Sequence, residues 1–128
     1  MEIEPVTEGE LSILEVIWER GTPTSRDIAA DIYEKVTDSK MASVQKLLER
    51  LEAKGCVGRD RSERAHRFRA LVSREDYLRD RLEGLADRLC DGAIAPLVTT
   101  LLRSKKGFSR KNVQQLRQLL DELWPSDR

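Results

Sequence analysis

The chain has 128 residues, with 23 lysines and arginines against 23 aspartates and glutamates, so its formal net charge is zero although 36% of the residues are charged. That length favours one compact unit or a small domain with an appendage. No apolar run approaches the ~20 residues that cross a bilayer, and Met1-Glu2-Ile3-Glu4 lacks the basic region of a signal peptide. Two cysteines 34 positions apart form no CxxC pair or disulfide framework, and one histidine with no nucleophile–base pair, metal-ligand set or phosphate loop argues against an enzyme or a cofactor, so a non-enzymatic cytoplasmic protein is expected.

Thr7-Glu8-Gly9-Glu10 reads as a capping box opening a first helix. Leu11, Leu14 and Trp18, with Ile13 and Ile17 beside them, form its apolar stripe, and Gly21 is placed to end it. Thr24, with Asp27 three residues on, caps a second helix whose apolar side is Ile28, Ala29, Ile32 and Tyr33. A polar turn from Lys35 to Asp38 leads into a third helix, beginning near Ser39 and ending near Lys54-Gly55. Val44, Leu47, Leu48 and Leu51 point inward. At about 100° per residue the row directly opposite is Ser39, Ala42, Lys46 and Glu49, flanked by Ser43, Gln45 and Arg50.

Cys56 to Asp60 and Ala65 to Leu71 read as two short strands, with Arg67 and Arg69 on one face and His66, Phe68 and Ala70 on the other. Ser73, with Asp76 three residues later, starts a fourth helix that Gly92 ends or nearly ends. A fifth covers about Ala95 to Arg103, with Pro96 in its first turn. Ser109 caps a sixth, closed by Trp124-Pro125. Leucine seams mark all three: Leu78, Leu82, Leu85 and Leu89 on the fourth, Leu97 and Leu101 on the fifth, and Val113, Leu116, Leu119, Leu120 and Leu123 on the sixth.

The zero net charge is a sum of unlike parts. Residues 1–38 carry 3 basic and 10 acidic side chains, a net −7; residues 39–69 carry 9 and 4, a net +5; residues 70–128 carry 11 and 9, a net +2. The +5 block coincides with the third helix and the hairpin, and such asymmetry points to a polyanionic partner.

Three helices followed by a two-stranded hairpin describe a winged helix-turn-helix over residues 1–72, mostly α with a small β element, and residues 73–128 form a three-helix tail. In such a domain the third helix enters the major groove. Its first residues, Ser39, Lys40, Met41, Ala42 and Ser43, are mostly small or basic and permit close approach. Gln45 suits adenine, and Lys46 suits guanine or a phosphate. Arg50 and the hairpin arginines Arg59, Arg61, Arg64 and Arg67 suit phosphates or the minor groove. Met41 is equally suited to packing at the helix start. The tail is too short to bury a sizeable core alone, so its seams either fold back on the head or pair with a second copy. A twofold dimer would set two reading helices on a palindromic operator. The competing reading is a winged-helix adaptor that docks proteins without specific DNA binding. Cys56 and Cys90 fit either small buried residues or redox sensors, and His66 fits a phosphate contact or a structural role.

The layout resembles the BlaI/MecI/CopY family of bacterial transcriptional repressors over nearly the whole chain. The carrying segments are Leu11 to Trp18, Ser43 to Leu51 ending in Lys54-Gly55, Arg64 to Glu75, and Leu116 to Leu120. The resemblance implies a homodimer with winged-helix heads and a helical dimerisation tail that binds a dyad operator and blocks transcription. It also implies release through a membrane sensor-protease or another protease that cuts in the fifth helix. Thr100-Leu101 stands where the family carries an Asn-Phe cleavage pair, a departure that argues against that route. The tail has no cysteine after Cys90, unlike the CxC pairs of copper-responsive members. Met41-Ala42-Ser43 replaces the family's usual opening of the reading helix, so a different operator sequence is expected.

Overall fold

The computed structural model describes residues 3–126; Met1 and Glu2 of the acidic start lie outside the described residues. Two compact units divide the chain, residues 1–82 and 83–128.

In the first unit α1 (Glu8–Arg20) begins on the Thr7–Glu10 capping box and ends at Gly21, whose φ of 91° an L side chain rarely adopts. α2 (Ser25–Ile32) begins on a second box, Thr24 with Asp27. α3 (Asp38–Ala53) starts one residue earlier than the sequence pattern suggests, because Thr37 is its cap and accepts from the Lys40 N–H. It stops in a Schellman motif. Gly55 takes φ 75° and donates to the Glu52 carbonyl, and the Cys56 N–H reaches back to Leu51.

β1 (Val57–Asp60) and β2 (Arg67–Ala70) form an antiparallel hairpin in the register Val57↔Ala70, Gly58↔Arg69, Arg59↔Phe68, Asp60↔Arg67. Both strands are shorter than alternation alone suggests, because residues 61–65 form an exposed turn in which Asp60 accepts from the Ser62 N–H. The α1–α2 connection lies along the free edge of β2: Thr24 bridges to Arg67 and the Phe68 N–H donates to the Pro23 carbonyl at 2.9 Å.

One core unites these elements. Ile13, Leu14 and Ile17 of α1, Ile28 and Ala29 of α2, and Val44, Leu48 and Leu51 of α3 meet Cys56, Val57, Phe68 and Val72, all buried. Leu47 is half-buried and packs at its margin. Trp18 ties on the start of α4 (Arg74–Leu89), donating from Nε1 to the Val72 carbonyl at 2.9 Å, with Tyr77 against its ring and the Arg74 guanidinium over it. Ser73 accepts from the Asp76 N–H and opens that helix.

Glu10 is fully buried among these groups. Burial pushes its pKa up, but the Lys54 ammonium at 2.7 Å, with the Thr7 N–H and hydroxyl, outweighs it, and the carboxyl titrates below its ordinary value of 4.5. This contact joins the start of α1 to the end of α3. Burial raises the neighbouring Cys56 thiol, which keeps it protonated and unreactive.

The second unit contains the end of α4, then α5 (Ala95–Ser104) and α6 (Arg110–Leu123). Asp91 and Gly92 follow α4 with positive φ of 50° and 84°, Pro96 sits in the first turn of α5, and Ser109 caps α6 with Asn112. Among its described residues Ala86 alone is buried. The described residues contain no helix long and apolar enough to cross a membrane.

Two stability measurements follow. Leu48→Ala should cost about 2–5 kcal/mol in urea unfolding, since Leu48 is fully enclosed where three helices meet. Glu10→Gln should cost about 1–3 kcal/mol at pH 7. Because the folded-state pKa of Glu10 is depressed, its contribution is present above the unfolded value near 4.5 and fades as pH falls through the folded value, so the gap between Glu10→Gln and the parent should close in acid.

Candidate nucleic-acid interface

α3 is buried along Val44, Leu48 and Leu51 and bare on the other side. Ser39, Ala42, Ser43, Gln45, Lys46, Glu49 and Arg50 are all exposed there, as the 100° geometry requires. The Ser43 hydroxyl donates back to the Ser39 carbonyl, which holds it close to the helix and leaves that end slim. Lys46 and Arg50 have no ion-pair partner among the described residues.

Two residues at the helix start are engaged within the head. Met41 is half-buried and packs against the core. Lys40 lies over the Tyr33 ring at 5.1 Å and donates to the Lys35 carbonyl at 3.1 Å.

The hairpin arginines divide in the same way. Arg59 crosses from the wing to α3: its guanidinium bonds the Glu52 carboxylate through Nε and Nη2, lies 4.7 Å from the centre of the Phe68 ring, and faces His66 Nδ1 at 3.3 Å. Half-buried Arg67 donates to the Thr22 carbonyl at 2.9 Å and pairs loosely with Glu63. Arg61 and Arg64 on the turn, and Arg69 on β2, are exposed without ion partners among the described residues. Arg69 lies across Gly58, whose added Cβ would come within 3.2 Å of its guanidinium.

Between α3 and the wing opens a concavity of about 370 Å³ lined by Ser25, Gln45, Glu49, Arg59, Arg64, Ala65, His66 and Phe68. Helical spacing already sets Glu49 in the outward row, and His66 is one of the residues suited to a phosphate; Ser25, from α2, is the lining residue that the sequence pattern does not group with the reading face, its one local signal being its place as the first helical residue after the Thr24 cap. The result is a slim polar helix face beside a basic hairpin, the arrangement that lets an α-helix lie in a major groove while a wing meets the backbone.

The chain matches the penicillinase repressor family over residues 6–122. It belongs to that family, and is a DNA-binding transcriptional regulator built on a winged helix-turn-helix. The chain is also similar to a protein of Latilactobacillus sakei described as an uncharacterized 16.5 kDa protein in the ptsI 3′ region. The two are 24% identical over 115 residues, 90% of this chain and 77% of that one. A MarR family protein from Bacillus stearothermophilus shares the fold, with a TM-score of 0.51 and 22% identity over 94% of this chain and 74% of that one.

For this repressor-family head, Glu52 and Arg59 form a mostly buried pair, their side chains 25% and 20% exposed. Glu52→Ala should therefore destabilise the head by about 1–2 kcal/mol, a value between those of exposed and fully buried pairs. Amide exchange at Arg67–Ala70 should quicken with it. Unchanged exchange would show that the pair does not hold the wing.

Proposed function

We propose that the chain binds a palindromic operator in the cytoplasm as a homodimer and represses transcription there, with α3 reading the major groove and the wing gripping the backbone. One observation carries the reading: Gln45 on the bare face of α3 and Arg64 of the wing line one concavity, while Lys46 and Arg50 on the helix and Arg61 on the wing turn are exposed without ion-pair partners among the described residues. Within the +5 block the residues have different tasks. Gln45 and Lys46 face base edges with Ser39, Ala42 and Ser43 giving close approach, and Arg50, Arg61 and Arg64 meet phosphates. Arg59, Arg67, Lys40 and Met41 support that surface from within.

Dimerisation rests on the second unit. No described residue of α5 or α6 is buried, and Leu101, Leu116, Leu119, Leu120 and Leu123 stay 37% to 57% exposed. Leu85 and Leu89 at the end of α4, and Leu78 nearer its start, continue the pattern, while Leu82 and Leu97 are half-buried. An amphipathic set of this size without its own core is stabilised by burying its leucines against an identical set. Thr100 and Leu101 lie inside α5, where the Thr100 hydroxyl bonds the Pro96 carbonyl, so release by a protease at that pair requires α5 to unwind first.

Band-shift titrations on the genomic site, at several salt concentrations, test the assignment. Lys46→Ala should weaken specific binding by about 1–3 kcal/mol and leave non-specific binding nearly unchanged. Arg64→Ala should weaken binding to every sequence and lower the salt slope by about one unit. A stable monomer at micromolar concentration in sedimentation equilibrium would overturn the dimer.

A further inference from the structure

The +5 block contains four acidic side chains, and three are occupied. Glu52 holds Arg59, Glu63 pairs with Arg67, and Asp60 accepts from the Ser62 N–H. Glu49 has no ion-pair or hydrogen-bond partner among the described residues. It is exposed on the bare face of α3, one turn beyond Gln45 and three residues beyond Lys46, and it lines the concavity with Gln45, Arg64 and His66. A carboxylate there weakens binding to any duplex through repulsion by phosphates, unless it meets a hydrogen-bond donor.

From this placement, and resting on the operator reading above, we infer that Glu49 is a specificity-determining residue that accepts a hydrogen bond from the N4 amino group of a cytosine in the major groove. A carboxylate is acceptor-only. In that groove guanine presents two acceptors, thymine an acceptor and a methyl, and adenine an acceptor beside its donor. Cytosine alone presents a donor with no acceptor next to it. Lys46, donor-only on the adjoining position, suits the complementary guanine acceptors. Glu49 thus acts twice: it penalises every duplex by its charge and relieves the penalty only where a cytosine lies beneath it.

Selection from a library of randomised duplexes of about 30 base pairs, run in parallel with the parent chain, Glu49→Ala and Glu49→Gln, tests this. The parent should enrich a dyad motif with a cytosine preference of about 5- to 150-fold at one position of each half-site. Glu49→Ala should lose the preference at that position alone, and Glu49→Gln should move it towards adenine, the base a glutamine amide fits. Both variants should also bind a duplex lacking the motif more tightly than the parent. Identical motifs in all three proteins would overturn the role of Glu49 and leave the operator reading standing. Loss of the whole motif by Glu49→Ala with unchanged thermal melting would also overturn it, by showing that the residue orients the helix instead of reading a base. If the parent enriches no motif, the operator reading falls and this inference falls with it.

Discussion

Everything in the head depends on one requirement: α3 must be clamped on one side and bare on the other. Val44, Leu48 and Leu51 fix its roll against α1 and α2. The Thr37 cap and the Schellman turn at Gly55 fix where it starts and stops. The Glu10–Lys54 contact then ties the residue that caps its end to the first turn of α1. A helix with this little freedom presents Gln45, Lys46 and Glu49 at set angles, which hydrogen-bond reading of base edges demands and phosphate contact does not. At Glu10 a lysine and a capping amide both bond Oε1 and leave the buried Oε2 without a partner among the described residues, while the same residue type at Glu49 stands in solvent with no hydrogen-bond or ion-pair partner among them. The two sites show how position decides whether an acidic group belongs to the scaffold or to the surface that meets a partner.

Much of this was legible in the chain because its signals are local. The capping boxes at Thr7, Thr24 and Ser109 lie within three residues of their partners, and the inward row of α3 follows from helical spacing alone. Contacts between distant residues leave no such local mark. Thr37 sits within a polar stretch and reads as turn until its hydroxyl is seen to serve the Lys40 N–H. The five hairpin arginines look equivalent in sequence, yet Arg59 answers to Glu52 on another element, and Arg67 answers to Thr22, 45 positions away. Counting charge cannot separate an arginine that braces a wing from one that faces solvent. Lys40 makes the same point, since its ammonium is held by a tyrosine ring and a carbonyl.

Charge therefore has meaning here at three scales. Over the whole chain it cancels. Over residues 39–69 it is strongly positive and marks the surface. At single residues it splits into pairs that hold the hairpin on the helix and unpaired groups that face outward. The tail is built on a different logic, with capping and turn chemistry that settle its helices one by one and leucines that no neighbour within the unit encloses.

The backbone pairing of Pro23 and Thr24 with β2 carries a consequence beyond closing an edge. An isolated two-stranded ribbon is marginal in water. Here the connection between α1 and α2 serves as a short third lane of hydrogen bonds, and Arg59 pins the other strand to α3. A hairpin held from both sides loses little conformational freedom on meeting a duplex, so less of the contact energy is consumed in ordering it. The wing is in that sense ordered in advance, by the α1–α2 connection on one side and the Glu52–Arg59 pair on the other.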